Sequence, residues 1–385
     1  MESGMVASCL RCGATLERRA GSSLDAALAL TLTALVMLVP ANLLGLMQMR
    51  FSGGDRQNFL ASGGAALWDQ GYHLLGTVVE LLVVAIPPLW LLGLATVLVA
   101  VRFDLVQPWL GPLFRRVLAC RPWAMVDVFL IGGFVAFTRL QDFAVVNVLP
   151  GGWSFVGVAL TVLAIDPSLD LRRIWAMIGA ETEERPPRPG DFACQGCERR
   201  SGEEEEGRPC PRCGYVLSRR KPNSAHYTAA LAGAAWLLYV PSMALPVMTV
   251  VRFGRVEPNT ILSGVRELIE LGLWPLAVIV FLASVVIPIV KLSGLTWFLI
   301  SLRLPAPRRL VAQTRFFRAI DVIGRWSNID VFMISILAGL VTYGQVASVR
   351  AEPGAFAFAS VVILTMLASA RFDPRLMWDA AEAAA

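Results

Sequence analysis

The sequence predicts an α-helical polytopic membrane protein, made of two tandem four-helix transmembrane modules in parallel repeat with cytoplasmic cysteine-bearing elements. Three observations predict it: apolar blocks of bilayer-spanning length, a one-sided distribution of arginine, and an internal duplication. Mean hydropathy is +0.61. Of the 385 residues, 56% are hydrophobic and only 16% charged, against ~25% charged in soluble domains. An ordinary soluble enzyme, a disordered chain and a nucleic-acid-binding domain are excluded, despite a pI near 9.0. The net charge of +5 reads as membrane topology.

Eight apolar blocks are expected to span, at 25–48, 72–101, 123–143, 150–165, 227–250, 272–301, 327–347 and 354–370. The N-terminus does not read as a cleavable signal, because Arg11 and the Cys9/Cys12 pair stand where an apolar core is required. An even number of spans puts both termini on one side. The segments on that side carry 26 of the 34 basic residues and the alternate loops carry 6, with Arg139 and Lys291 inside spans. Basic residues collect on the cytoplasmic side, so both termini and the long middle segment are assigned there, in a multi-pass protein.

The halves repeat at a shift of 201 residues. Cys9-Leu10-Arg11-Cys12-Gly13 aligns with Cys210-Pro211-Arg212-Cys213-Gly214, Pro40 with Pro241, Gly63 with Gly264, Pro87 with Pro288 and Gly93 with Gly294. At a shift of 203, Trp123, Asp127 and Phe129 fall on Trp326, Asp330 and Phe332, and Pro150-Gly151 on Pro353-Gly354. Four spans per half give both halves one orientation, hence a parallel repeat.

Six of the seven cysteines lie in Cys-x-x-Cys pairs. Cys194/Cys197 and Cys210/Cys213 can fold back and offer four thiolates tetrahedrally, as zinc ribbons do. Gly196 and Gly214 are expected to permit the tight turns. A cytoplasmic setting disfavours disulfides, and so small a segment needs a metal staple. Zinc is the expected ion and iron the alternative. Cys9 and Cys12 match the second knuckle only, so the N-terminal element reads as a degenerate half-ribbon and its pair as a second metal candidate. Cys120 reads as a small apolar residue. The expected domains are a degenerate half-ribbon (1–24), a first four-helix module (25–180), a zinc ribbon (181–222) and a second four-helix module (223–385).

Charge inside a bilayer costs ~2.5–3.5 kcal/mol and faces protein or water. Lys291 is the clearest case, one of two lysines beside 32 arginines. It lies about ten residues, or ~15 Å, from the cytoplasmic end of its span. Pro288 one turn earlier frees a carbonyl, and Ser284, Ser293 and Thr296 add polarity. Asp330, near Ser327 in the seventh span, is the natural counter-charge, with Thr342 and Tyr343 further along. Two readings stay open: an ion pair that fixes helix packing, or a polar cavity of Lys291, Asp330, Ser293, Ser327, Thr296 and Thr342 that touches substrate. The first half keeps Asp127 but has Trp90 in place of the lysine, so the second half is the better candidate. No phosphate-binding loop occurs, and the only histidines, His73 and His226, sit at span edges. No catalytic residue is assigned, and the protein is read as a non-enzyme.

Together these features resemble the paraquat-inducible protein A family, which includes the lipophilic-envelope-transport A proteins of Gram-negative bacteria. The second half carries the resemblance best, through the ribbon cysteines, Pro288-x-x-Lys291-Leu292, Gly324-Arg325-Trp326-Ser327-x-x-Asp330-Val331-Phe332 and Phe372-Asp373-Pro374-Arg375-Leu376-x-Trp378-Asp379. The resemblance implies an inner-membrane partner of periplasmic MCE-domain proteins, moving phospholipid between the inner membrane and an MCE tunnel. It also implies short periplasmic strands in loops 49–71 and 251–271, with Val250-Val251-Arg252-Phe253 as one. The missing first knuckle and Trp90 depart from the pattern. A non-transporting scaffold for the MCE protein, or a membrane redox protein using the cysteines, are the alternative functions.

Overall fold

A computed structural model describes residues 6–9, 15–18, 24–51, 54–141, 145–179, 188, 190–252, 255–303, 310–341 and 347–383. In chain order, a hairpin of β1 (Val6–Ser8) and β2 (Thr15–Arg18) precedes α1 (Leu24–Leu43). Then come β3 (Met47–Phe51), β4 (Gly54–Asn58), α2 (Ser62–Asp69), α3 (His73–Glu80) and α4 (Ile86–Arg102). They are followed by α5 (Leu110–Cys120), α6 (Val126–Gln141), β5 (Val145–Val148), α7 (Pro150–Ser168) and α8 (Leu171–Ile178). The middle segment holds β6 (Phe192–Ala193) and β7 (Arg200–Ser201). The order then recurs: α9 (Ser224–Ala244), β8 (Met248–Arg252), β9 (Arg255–Asn259), α10 (Ile261–Glu270), α11 (Trp274–Phe281), α12 (Ile287–Ser301), α13 (Leu310–Ile323), α14 (Ile329–Leu340), β10 (Ala347–Ala351), α15 (Pro353–Arg371) and a terminal α16 (Arg375–Ala383).

Among the described residues seven helical stretches are long and apolar enough to cross a membrane, where the sequence led us to expect eight. The eighth, α9, has the length, 21 residues. Its many alanines, with His226, Tyr227 and Thr228 in the first turns, leave it less apolar than the rest. The segments at 102–122 and 302–326 were expected as loops, yet they are largely helical: α5 is followed by a 3-10 turn and two non-helical residues, Ala124 and Met125, before α6, and α13 runs into α14 through five residues of 3-10 helix. Their arginines lie on amphipathic turns, so charge interrupts hydropathy without preventing helix.

Both long hairpin helices contain a π turn, at Leu81–Ala85 and Leu282–Val286. Pro87 and Pro288 each follow after one intervening isoleucine. Proline lacks an N–H and its ring crowds the carbonyl four residues back, which a widened turn relieves. The backbone around the strands repeats bond for bond. Leu46 N donates to Asn58 O at 2.7 Å and Val247 N to Asn259 O at 2.8 Å; Gly151 N donates to Gly45 O and Gly354 N to Pro246 O. Gly71 and Gly272 both take positive φ, +88° and +77°, closing the same turn after α2 and α10.

The chain forms two compact units that are not the sequence halves. The first comprises Met1–Leu38, Ile86–Ala124 and Gly157–Pro222; the second comprises Val39–Ala85, Met125–Val156 and Asn223–Ala385. In the first, Phe114 of α5 packs on Trp175 of α8, with ring centroids 4.8 Å apart, and Asp25 pairs with Arg102.

The second unit contains two three-stranded antiparallel sheets, ordered β4-β3-β5 and β10-β8-β9. The strands expected in loops 49–71 and 251–271 are present, each joined by a third strand from a later loop. β8 includes the expected Val250-Val251-Arg252; Phe253 lies outside the described residues. Corresponding helices of the repeat meet here: Phe129 of α6 packs edge-on against Phe332 of α14 at 5.5 Å. Gly132 makes that approach close, since a Cβ there would lie 3.0 Å from Ile329 O and 3.1 Å from Phe332 Cβ. α9 and α15 pack through small residues, and Thr228 Oγ1 reaches Ala368 O at 3.4 Å. Small residues let backbones approach where lipid offers no hydrophobic drive. Phe298, Phe317, Phe372 and Met377 form an aromatic core between α12, α13, α15 and α16. Gln70, just after α2, caps the outer edge of β10: its Nε2 donates to Val349 O at 3.2 Å and its Oε1 accepts from Ala351 N at 2.7 Å.

Candidate functional site

The four-cysteine centre lies in the first unit. Each knuckle is a tight turn in which the first cysteine N–H is bonded beyond the second cysteine: Cys194 N to Arg199 O and Cys210 N to Tyr215 O, both 2.8 Å. Each knuckle also needs one left-handed residue, four after its first cysteine. In the second knuckle this is Gly214, with φ +66°, as expected. In the first it is Glu198, with φ +58°, not the expected Gly196. Gly196 supplies space instead: a Cβ there would meet Arg115 Cδ at 3.0 Å and Cys213 Sγ at 3.1 Å.

The four sulfurs lie within 4.8 Å of one another and all four cysteines are buried. Cys194–Cys213 and Cys197–Cys210 are 3.6 and 3.7 Å apart. A tetrahedral ion with metal–sulfur bonds of about 2.3 Å needs sulfurs about 3.8 Å apart, so the site fits a metal with little movement. The thiols already share protons unequally. Hydrogen bonding from Cys197 lowers Cys194 to about 7, and hydrogen bonding from Cys194 lowers Cys210. Cys197 and Cys213 are raised, chiefly by their bonds with Cys194. Two sulfurs are thus set to ionise first, and a divalent cation would draw the remaining protons off the others.

The second knuckle docks on α5. Gly111 lies directly against the Arg212 carbonyl, where any side chain would collide, and Arg115 stacks 5.6 Å over the Tyr215 ring. At the N-terminus, β1 and β2 pair Ser8 with Thr15, as Pro209 pairs with Val216 201 residues later. Cys9 follows β1 and is half-buried; Cys12 lies outside the described residues, so metal at this pair stays an expectation.

The intramembrane residues lie in the second unit. Lys291 of α12 is 2% exposed. Its chain runs across Gly324: a Cβ there would meet the Lys291 Nζ directly and approach Cε to 2.9 Å and Cδ to 3.0 Å. Asp321 is the acid whose field reaches it. Asp330 is also buried, beside Ser284 of the π turn and within the field of Arg139. Among the described residues its Oδ1 and the Ser284 Oγ have no partner in good hydrogen-bond geometry.

No ion pair joins Lys291 to Asp330, both described residues. Sequence marked both groups but could not give their facing. Ser327 is buried and donates to Ala283 O at 2.7 Å, satisfying a carbonyl of the π turn. Thr296 is half-buried and accepts from Trp236 Nε1 at 3.1 Å. Ser293 is exposed, off the face that buries Lys291, and Thr342 lies outside the described residues.

Two arrangements were not foreseen. Arg325 pairs with buried Asp127 at 3.3 Å, so the arginine of one half serves the aspartate of the other. Arg139 donates through Nη2 to Gly264 O at 3.0 Å. The strings around Gly324-Arg325 and Asp127 held the signal, but only helix facing reveals the partners.

The family model described as "Paraquat-inducible protein A" matches residues 24–179 and 225–382. "Intermembrane transport protein PqiA" of Escherichia coli (strain K12) is 33% identical, covering 98% of this chain and 92% of its own length. "Lipophilic envelope-spanning tunnel protein A" of the same organism is 28% identical, covering 98% and 87%. "Probable intermembrane transport protein" of Haemophilus influenzae is 25% identical, covering 75% and 73%. No solved structure matches.

Proposed function

This chain belongs to the paraquat-inducible protein A family, and from that premise we propose that it is the inner-membrane subunit of an MCE-type lipid transport system. It passes phospholipid between the inner membrane and a periplasmic MCE protein. The observation that carries this is similarity over 98% of the chain to proteins named for intermembrane transport. In this reading α9 is the eighth span, both termini and the ribbon are cytoplasmic, and the two sheets are periplasmic. Residues 25–180 and 223–385 are two four-helix modules, and 1–24 and 181–222 are the ribbon elements. Zinc at Cys194, Cys197, Cys210 and Cys213 is structural. No group on the chain is assigned a covalent step.

The buried Lys291, beside the π turn that carries Ser284, is the group we assign to a phosphate headgroup. An ammonium is a point charge that binds phosphate without a fixed fork. Ser327 and Asp330 lie on the segment that follows Gly324. Ser293 is exposed and Thr296 bonds Trp236, so this reading gives the headgroup contact to the buried groups first.

The test is photocrosslinking in cells grown with labelled phosphate. The crosslinker replaces Ile334, which is 2% exposed, or Ser284, with Leu282, 45% exposed, as the lipid-facing control. Covalent phospholipid at the buried positions equal to or above the control supports passage through the second module. Label at the control alone, in folded protein, supports a scaffold that anchors the MCE protein and never handles lipid.

A further inference from the structure

The helix crossings of the two halves can be laid on one another from their contacts alone. In the first, a Cβ on Gly93 of α4 would lie 2.6 Å from Val117 Cγ2 of α5; in the second, a Cβ on Gly294 of α12 would lie 2.6 Å from Ile320 Cδ1 of α13. Gly93 and Gly294 are 201 residues apart, Val117 and Ile320 are 203. One turn away on each helix, the same shifts equate Trp90 with Lys291 and Arg121 with Gly324.

We propose that both crossings hold the same interhelical cation, supplied from opposite helices: Lys291 reaching across Gly324 in the second half, Arg121 reaching across Trp90 in the first. The Lys291 Nζ occupies the space where a side chain at 324 would begin. In the first half that side chain is an arginine, and its guanidinium lies 5.0 Å from the centroid of the ring that replaces the lysine. Glycine faces the long cation in one half, and the flat buried Trp90 faces it in the other.

The exchange assigns Arg121 a role that sequence did not suggest. It is a positioning residue, closed by a two-point bond to Asp166: Nε to Oδ1 at 3.0 Å and Nη2 to Oδ2 at 2.7 Å. Such a fork is fixed in direction, whereas the lysine's three donors rotate. The first crossing is therefore a strut and the second a movable cation. The equivalence of the two crossings stands whether or not lipid enters the second module.

The full-length protein, purified in detergent, carries the test as a double-mutant cycle of W90K, R121G and W90K/R121G. W90K alone sets two cations at one crossing, and R121G alone leaves Asp166 without its fork. Each lowers the melting temperature relative to the parent. The double variant recreates the Lys291/Gly324 arrangement and regains most of the loss. With only two native lysines, amine acylation read by mass spectrometry gives an independent measure. The amine introduced by W90K is protected in the double variant, as Lys291 is, and reacts when Arg121 is retained. R121K, which keeps the cation but loses the fork, melts between R121G and the parent. Losses that simply add, or an amine in the double variant that acylates like Lys221, overturn the proposal, as does R121K melting as low as R121G.

Discussion

The crossing at Trp90/Arg121 and the crossing at Lys291/Gly324 share a backbone and differ in what the cation costs. The first has aromatic contact worth ~0.5–1 kcal/mol or more. Its ion pair, with Asp166 47% exposed, is worth ~1 kcal/mol or less after solvent screening. The second buries an ammonium to 2% exposure, at ~2.5–3.5 kcal/mol on insertion scales, with no two-point partner among the described residues. Stability explains the arginine and does not explain the lysine. On the proposed function, a duplicated frame keeps one copy as a brace and holds the other in a costlier state.

The largest effect that would sharpen this contrast lies in the cysteines. Cys210→Ser removes one of four convergent sulfurs, where structural zinc contributes an apparent ~10–16 kcal/mol to folding small domains. On the proposed zinc reading, purified protein should lose bound metal and become protease-sensitive in 190–222. Cys9→Ser, the equivalent change in the first half, should leave that zinc in place. Zinc retention is also pH-dependent. With Cys194 lowered to about 7, its thiolate contribution is full above the ordinary thiol range and is lost as pH falls through 7. A metal affinity, read by competition with a chelator, that does not fall between pH 8 and 6 would contradict this.

Next in size is Gly324→Ala, whose methyl enters the space of the Lys291 chain. Overpacking of this kind costs ~1–3 kcal/mol. Thermal melting should show a clear fall, and pairing the change with Lys291→Ala should recover part of it. Independent losses would mean the lysine is not held where we place it. Gly93→Ala and Gly294→Ala, each 2.6 Å from a branched methyl, should then fall by amounts within about 1 kcal/mol of each other. A large difference would break the equivalence of the crossings. Ser327→Ala should matter least for stability, since interhelical bonds in membranes average ~0.6 kcal/mol.

Much of this was legible in the sequence because it rests on local patterns. Hydropathy located the spans, and cysteine spacing located a buried cluster. The 201-residue shift anticipated paired π turns and paired sheets without naming either. What could not be read depends on facing. Lys291 and Asp330 are 39 residues apart on different helices, and the inserted π-turn residue changes which face each position presents. Ser293 looked like a neighbour of Lys291 but points away from its buried face. Arg325 with Asp127 joins the two halves, and no spacing rule spans 198 residues. Hydropathy also under-read α5 and α13, where charged turns masked helix.

The amide of Gln70 has a consequence for motion. It presents one donor and one acceptor, as a peptide does, and so ends the β10 edge with a strand one residue long. Alternate peptides of a strand face opposite edges. A slip of one residue would therefore set Gln70 against groups turned toward β8, and only a two-residue step, roughly 7 Å, would engage again. The contact behaves as a tooth on a rack. The two bonds thus tie the end of α2 to one register of β10.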